Sequence, residues 1–429
     1  MAFIDAPRTT CALGGAIDLV NSIHRAVPIL HTGPGCGIAL STGNLGHGYQ
    51  YVGHASCYAC PSTNTLEKQV VFGGESRLRE EIRTTMELID ADLYFIISGC
   101  TAGLIGDDIR AVVSEFAGSE KPVIFAETSG FKGDTYQGYD IAYRSMIDQL
   151  TAPAKKKSQG VVNLLGIVPM QDAFWEGNIN EIVRLLERIG VEVNLTGCDD
   201  TVDNIRGAAR AELNIVLSGN AGISVAEHFK KKFKVPYLAY PLPVGSDTSN
   251  FLRNVGKVLK LDETLVESVI ADEEKKFWMY LVKFSEAHIF SLSNKEFSII
   301  SDSGYAIGLT RFLANDLSLT PKLVAVTENT PEQLQRNIKK SLAKLDYDVK
   351  PTVVFEPDNY RIWELLKEDK PHILFGNTND KVIGKKLGIS TFLLSFPLYD
   401  QVVLSKGYAG YRGAITLTED LSTMIISGT

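Results

Sequence analysis

The chain is poor in cysteine, carries no strong charge of either sign and has no long apolar run, and each shortage excludes something. Six cysteines in 429 residues do not make the disulfide framework that small secreted domains need and a chain of this size does not. Forty-three Lys plus Arg against 51 Asp plus Glu give a net charge of −8, a poor basis for general nucleic-acid binding, which needs a basic face. No run of about 18 apolar residues occurs, so no helical membrane span is expected. The first residues show no basic segment followed by an apolar one, and Asp5 stands where a secretory leader would be apolar, so a cytoplasmic location is expected. The nucleotide loops GxGxxG and GxxxxGK(S/T) and the hydrolase elbow GxSxG are also missing.

What is there is an ordinary globular composition, 45 % apolar and 22 % charged, at a length that suits two or three domains. Short β-branched runs without polar alternation fall at 93–98, 122–127, 161–166, 191–196, 213–218, 297–301, 323–327, 353–356, 373–376 and 391–395. Strands buried on both faces of a parallel sheet read this way. Amphipathic stretches lie between them: 77–89, with Leu78, Ile82, Met86 and Ile89 on one stripe, and 178–189, stopped by Gly190. Thr330-Pro331-Glu332-Gln333 predicts a helix start with Thr330 as cap and Pro331 as first helical residue. The fold class expected is α/β: three Rossmann-like domains with mainly parallel sheets flanked by helices. Boundaries are placed at 1–152, 153–287 and 288–429, the last with a C-terminal helix. The stretch 151–160 reads as a linker, 262–290 as a bridging helix, and the runs Lys155 to Lys157 and Lys230 to Lys232 as solvated ends.

Three thiols stand out by context. Cys11 lies in a small-residue turn, Cys36 in a Pro/Gly loop after the apolar run 27–30, and Cys100 directly after the strand 93–98. All three fall at element ends, where α/β loops gather at the carboxyl edge of a sheet. Neighbouring glycines, Gly35 and Gly99 among them, let a bulky group approach the backbone. Soft thiolates at such a rim suit an iron–sulfur cluster, although the spacing also fits three unrelated buried thiols. Cys57-Tyr58-Ala59-Cys60 is the one CxxC. It reads as half of a metal or cluster site, a redox pair, or a loop that happens to carry two thiols, and neither His47 nor His54 completes a zinc-finger spacing. Cys198 reads as a structural thiol. The acidic pairs Asp107/Asp108 and Asp199/Asp200 read as helix starts.

Taken in order, Cys11, the block His31-Thr32-Gly33-Pro34-Gly35-Cys36-Gly37, the block Val71-Phe72-Gly73-Gly74, and Ser98-Gly99-Cys100 leading to Ile105-Gly106-Asp107-Asp108 resemble component 1 of the nitrogenase superfamily. Tyr240-Pro241-Leu242-Pro243-Val244-Gly245, Gly308-Leu309-Thr310-Arg311-Phe312-Leu313, Phe396-Pro397-Leu398-Tyr399-Asp400 and Gly410-Tyr411-Arg412-Gly413-Ala414 resemble its β-type subunit. The resemblance implies that Cys11, Cys36 and Cys100 hold an iron–sulfur cluster, an eight-iron P-cluster type or a four-iron 4Fe–4S type, at a subunit interface. It implies an α-like component 1 subunit as partner in an α2β2 hetero-oligomer, and electrons from an ATP-dependent homodimeric iron–sulfur reductase protein. Ser218 stands near the place of the α-type cofactor cysteine and no His follows His372, which argues against a catalytic cofactor in this chain. Asp134 takes the place of a β-type serine that ligates the oxidised interface cluster; it reads either as an extra ligand or as a turn cap. Cys57 and Cys60 have no counterpart in that resemblance and are kept as possible extra ligands. The function implied is electron relay in a nitrogenase-like reductase of dinitrogen or another small molecule, such as a methylthio-alkane or a tetrapyrrole. A cofactor-assembly scaffold and a homodimer with a four-iron cluster are the other readings.

Overall fold

The computed structural model describes residues 4–43, 46–48, 60–198, 200–346 and 349–428. Its strands form three sheets, each wholly parallel. The first holds β1 (Ala26–His31), β2 (Leu93–Ser98) and β3 (Val123–Ala126) in the order β1-β2-β3. The second holds β4 (Val161–Leu165), β5 (Glu192–Leu195), β6 (Leu213–Val216) and β7 (Tyr237–Ala239) in the order β5-β4-β6-β7. The third holds β8 (Glu296–Ser301), β9 (Thr320–Val326), β10 (Thr352–Phe355), β11 (Ile373–Gly376) and β12 (Ser390–Leu393) in the order β10-β9-β8-β11-β12. β1, β2, β6 and β11 are buried throughout, which is why their sequences show no polar alternation. The short strand β7 carries no such run and was not expected from the sequence.

The expected helices are present with small shifts. Glu75–Leu88 and Trp175–Arg188 bury the anticipated stripes, and Gly190 takes the left-handed φ of 82° that ends the second. The bridging stretch is two helices, Glu263–Lys283 and Ser285–Ser291. Several local expectations are corrected. The helix Glu332–Leu342 starts after Pro331, and Thr330 donates its hydroxyl to the Glu328 carbonyl instead of capping. Asp200 caps nothing: Thr201 accepts from Asn204 N–H at the start of Val202–Gly207, while Asp200 turns back to accept from Gly197 N–H at 3.0 Å. Asp199 lies outside the described residues. Lys157 is no solvated end; its ammonium donates to the carbonyls of Ala209 (2.7 Å) and Phe233 (2.9 Å), which end two helical segments.

The ends of the chain tie the sheets together. Arg8 is buried and donates bidentately to Asp380 at 2.8 and 2.9 Å and to Asn359 at 2.6 Å, fastening the segment before Cys11 to the third sheet. The C-terminal helix Gly410–Ser427 packs on Trp175–Arg188 and Glu263–Lys283.

Candidate functional site at the rim of the first sheet

The carboxyl ends of β1, β2 and β3 stand side by side, His31 beside Ser98 and Ile97 beside Ala126. The chain leaving each end is tied to its neighbour. Gly99 N–H donates to the His31 carbonyl (3.0 Å), Thr128 donates its N–H to Ser98 Oγ and its hydroxyl to the Ser98 carbonyl, and Ser129 Oγ donates to the Gly99 carbonyl (3.1 Å). Cys100 is the first residue of an additional short helix, Cys100–Ile105, and the helix expected at Asp107/Asp108 follows as Ile109–Ser114. Cys36 lies in the first turn of the helix Pro34–Gly43, not in an open loop.

Cys11 reaches this rim from a different element. It precedes the helix Ala12–Asn21, which crosses the helix Thr135–Leu150 at backbone contact. A Cβ on Gly15 would stand 1.8 Å from the Thr135 carbonyl oxygen, and one on Gly138 would stand 1.9 Å from that of Ala12. Glycine at both positions lets the helices meet, and Ala12 N–H donates to the Gly133 carbonyl at 2.9 Å.

The result is a convergence of sulfur. A Cβ on Gly130 would lie 3.0 Å from Cys11 Sγ and 3.1 Å from Cys100 Sγ, so both thiols face the same bare stretch of backbone. Cys36 sits at the neighbouring strand end, half-buried on the apolar cluster that also takes Cys11 and Cys60. Gly99 is required by Thr32, whose Oγ1 would be 2.1 Å from a Cβ, whereas a Cβ on Gly35 would meet nothing within 4 Å. Among the described residues no three His, Cys, Asp or Glu side chains are grouped as ligands of a single metal ion. Soft donors spread over a wider rim, beside glycine backbone, suit a polynuclear iron–sulfur group.

The other candidates fall as follows. Asp134 pairs with Cys11 in an isolated bridge and caps the helix Thr135–Leu150. Its Oδ1 accepts from Gln137 N–H (2.9 Å) and its Oδ2 from Asn329 N–H (2.7 Å), so both oxygens are engaged. Burial pushes its carboxyl above the usual range, against the pull of those N–H groups. Cys60 precedes a segment that runs parallel to β1, where Leu30 N–H donates to the Pro61 carbonyl. Cys57 lies outside the described residues. Cys198 is buried in the core of the second and third sheets.

Sequence reasoning missed the pair that braces the rim from below. His31 Nε2 lies 2.9 Å from Asp107 Oδ2 and its Nδ1 lies 3.1 Å from Thr63 Oγ1, both side chains being buried. Asp107 Oδ1 also accepts from Gly74 N–H at 2.8 Å, so Asp107 is no helix cap; Asp108 is. Burial holds the imidazole below its ordinary pKa despite the carboxylate. Above this brace the helix Glu67–Phe72 buries none of its residues. Val71 and Phe72 (81 % exposed) on that helix, and Leu104 (77 % exposed) on Cys100–Ile105, are exposed apolar side chains.

A small cavity opens where the ends of β4, β6 and β8 meet, with Ser218 on its wall. At about 20 Å³ it has room for one water or ion and none for a metallocluster.

Three parallel sheets, the second and third doubly wound, define a protein of α/β class. The sequence profile of the nitrogenase component 1 type oxidoreductases matches residues 11–426, and the chain belongs to that family. The nitrogenase molybdenum-iron protein beta chain of Methanococcus maripaludis is 24 % identical over 98 % of this chain and 94 % of its own length. The nitrogenase iron-molybdenum cofactor biosynthesis protein NifE of the same species is 27 % identical over 97 % of this chain and 83 % of its own. The solved structure of nitrogenase Cp1 at pH 6.5 matches with a TM-score of 0.84 at 22 % identity, covering all of this chain and 94 % of that one, a likeness of fold. Among the described residues no helix is long and apolar enough to cross a membrane.

Proposed function

We propose that this chain is the β-like subunit of a nitrogenase-like reductase, that Cys11, Cys36 and Cys100 ligate an iron–sulfur cluster shared with an α-like partner, and that the reducible substrate binds in that partner. The observation that carries the reading is the meeting of Cys11 and Cys100 sulfurs at Gly130, with Cys36 on the next strand end. A cluster so held supplies one-electron transfer. The chain's own contribution is positional: the glycine crossing sets Cys11, the strand register sets Cys36 and Cys100, and the apolar cluster behind them excludes water and lowers the local dielectric, which shapes the potential. The exposed apolar side chains of Val71, Phe72 and Leu104 fit the docking of protein partners, an α-like subunit and an ATP-dependent iron–sulfur reductase. The cavity at Ser218, too small for a cofactor, supports placing the active site in the partner.

The match to a cofactor biosynthesis protein favours a second reading, a scaffold on which a cofactor is assembled. One experiment separates the two. The chain is co-expressed with its α-like partner, purified without oxygen and examined by metal analysis and EPR before and after addition of reductase and ATP. An interface cluster signal with substrate turnover supports the reductase; a transferable cofactor without turnover supports the scaffold. Cys36→Ala should lose interface iron and weaken subunit association, and unchanged iron in that variant would sink both readings.

A further inference from the structure

Two carboxyl groups on the wall of the cavity, and a third beside it, take no part in the electron relay. Asp172 follows β4, Asp302 ends β8 and Glu328 follows β9. Among the described residues no lysine, arginine or histidine makes an ion pair with any of them. The nearby hydrogen-bond donors are already spent on them. Asp172 accepts from Phe174 N–H, Tyr305 O–H and the Asn178 amide, and Asp302 from the N–H groups of Gly304 and Tyr305 and from Ser301 O–H. Both carboxyls thus stand at a small void in the interior with no cationic side chain among the described residues beside them.

A fourth group points the same way. Gln171 is 3 % exposed and lines the cavity. Its Nε2 donates to Asp18 Oδ2 at 2.9 Å, and its Oε1 has no hydrogen-bond partner. Reversing the amide would set its oxygen against the Asp18 carboxylate, so the orphan atom is an acceptor. Among apolar neighbours such as Ile167, Val168 and Leu242, the wall carries a carboxamide, two carboxyls and the hydroxyl-bearing Ser218 and Tyr136. A water could fill the space and donate to the amide; a divalent cation would take the amide oxygen as a ligand and also hold the two carboxyls in their charged form. Hard cations take all-oxygen shells, and calcium accepts an irregular mixture of carboxylate, amide, hydroxyl and water oxygens.

We propose that the junction of the three sheets binds one hard divalent cation, calcium or magnesium, through Asp172, Asp302 and Gln171 Oε1. Two side-chain carboxylates are all it would have, with the amide, hydroxyls and water completing its shell. The ion bridges the segment after β4 to the end of β8 and so fastens the second sheet to the third.

The inference stands apart from the electron-relay reading and is tested beside it. The full chain, co-expressed with its partner, is assayed for calcium, magnesium and iron as purified. It is then stripped with EDTA, desalted and melted in CaCl2 or MgCl2 against NaCl of equal ionic strength. About one equivalent of calcium or magnesium per chain and a saturable rise in Tm of about 3–5 °C at a hundredfold excess over Kd are expected. Gln171→Leu, which leaves every carboxyl cap intact, and Asp172→Asn should abolish the bound ion and the shift while iron is retained. No stoichiometric calcium or magnesium together with no saturable shift overturns the proposal and gives the cavity to water or protons. Loss of iron with the ion retained counts against the electron-relay reading alone.

Discussion

The rim of the first sheet and the junction of all three occupy equivalent addresses, the carboxyl ends of parallel strands, yet they are built from opposite materials. At the rim, sulfur and glycine lie beside exposed Phe72 and Leu104. At the junction, Asp172, Asp302, Gln171 and Ser218 bring oxygen donors, among apolar neighbours, to a cavity of about 20 Å³. The same topology thus offers soft donors beside exposed apolar side chains at one address and hard donors around a small void at the other. What differs is donor type and access, which the fold leaves to a few side chains.

The contrast can be broken most sharply at the rim. Cys100→Ala should abolish interface iron altogether, read by metal analysis of the co-purified complex, while calcium or magnesium at the junction stays. Next in size is Arg8→Ala. Removing one partner of a buried ion pair leaves Asp380 uncompensated, and a loss of about 3–5 kcal/mol of stability is expected in denaturant titrations. Because Arg8 lies three residues before Cys11, iron occupancy should also fall, whereas the junction should be untouched.

A smaller effect separates the two sites by pH. The folded-state pKa values of Asp172 (about 7) and Glu328 (about 8) lie above those of the unfolded chain, near 4. Between about pH 4 and 8 the folded state therefore binds more protons than the unfolded one, and their contribution to stability falls as pH rises through that window. His31, held low, pulls the other way below its ordinary value. The urea midpoint of cation-free protein should thus decline from pH 5 to pH 8, and Asp172→Asn should flatten the slope. Phe72→Ala should raise the reductase concentration needed for half-maximal electron transfer about tenfold, as for a contact hot spot, with iron unchanged. Cys198→Ala should cost about 1 kcal/mol and leave iron alone; iron loss there would mean that the wrong thiols have been assigned to the rim.

The contrast also shows what a sequence discloses. The parallel sheets were legible because strands buried on both faces leave uninterrupted apolar runs, as at β2 and β11. β7 was not, since three half-exposed residues carry no pattern. Helix stripes were legible and their exact starts were not: Thr330 and Asp200 have the chemistry of caps, but their side chains turn back to partners two and three residues earlier. At the rim the thiols were marked by adjacent glycines, and their convergence was implied by a family resemblance rather than by spacing. His31 with Asp107 escaped notice because 76 residues separate them and the blocks that hold them were read for their cysteines and glycines. The junction was invisible for the same reason. Its acids come from distant segments and look, one by one, like surface residues.

The crossing at Gly15 and Gly138 has a consequence for tolerance to change. Gly15 lies one helical turn, about 6 Å, from Cys11 and carries no reactive atom. A single methyl group there has to displace one helix from the other by an ångström or more, whereas metal–ligand distances tolerate about 0.2 Å. Gly15→Ala should therefore act as a ligand knockout at a distance: a folded chain, correctly equipped with thiols, whose aim is spoiled by a carbon atom placed in the hinge of its gunsight.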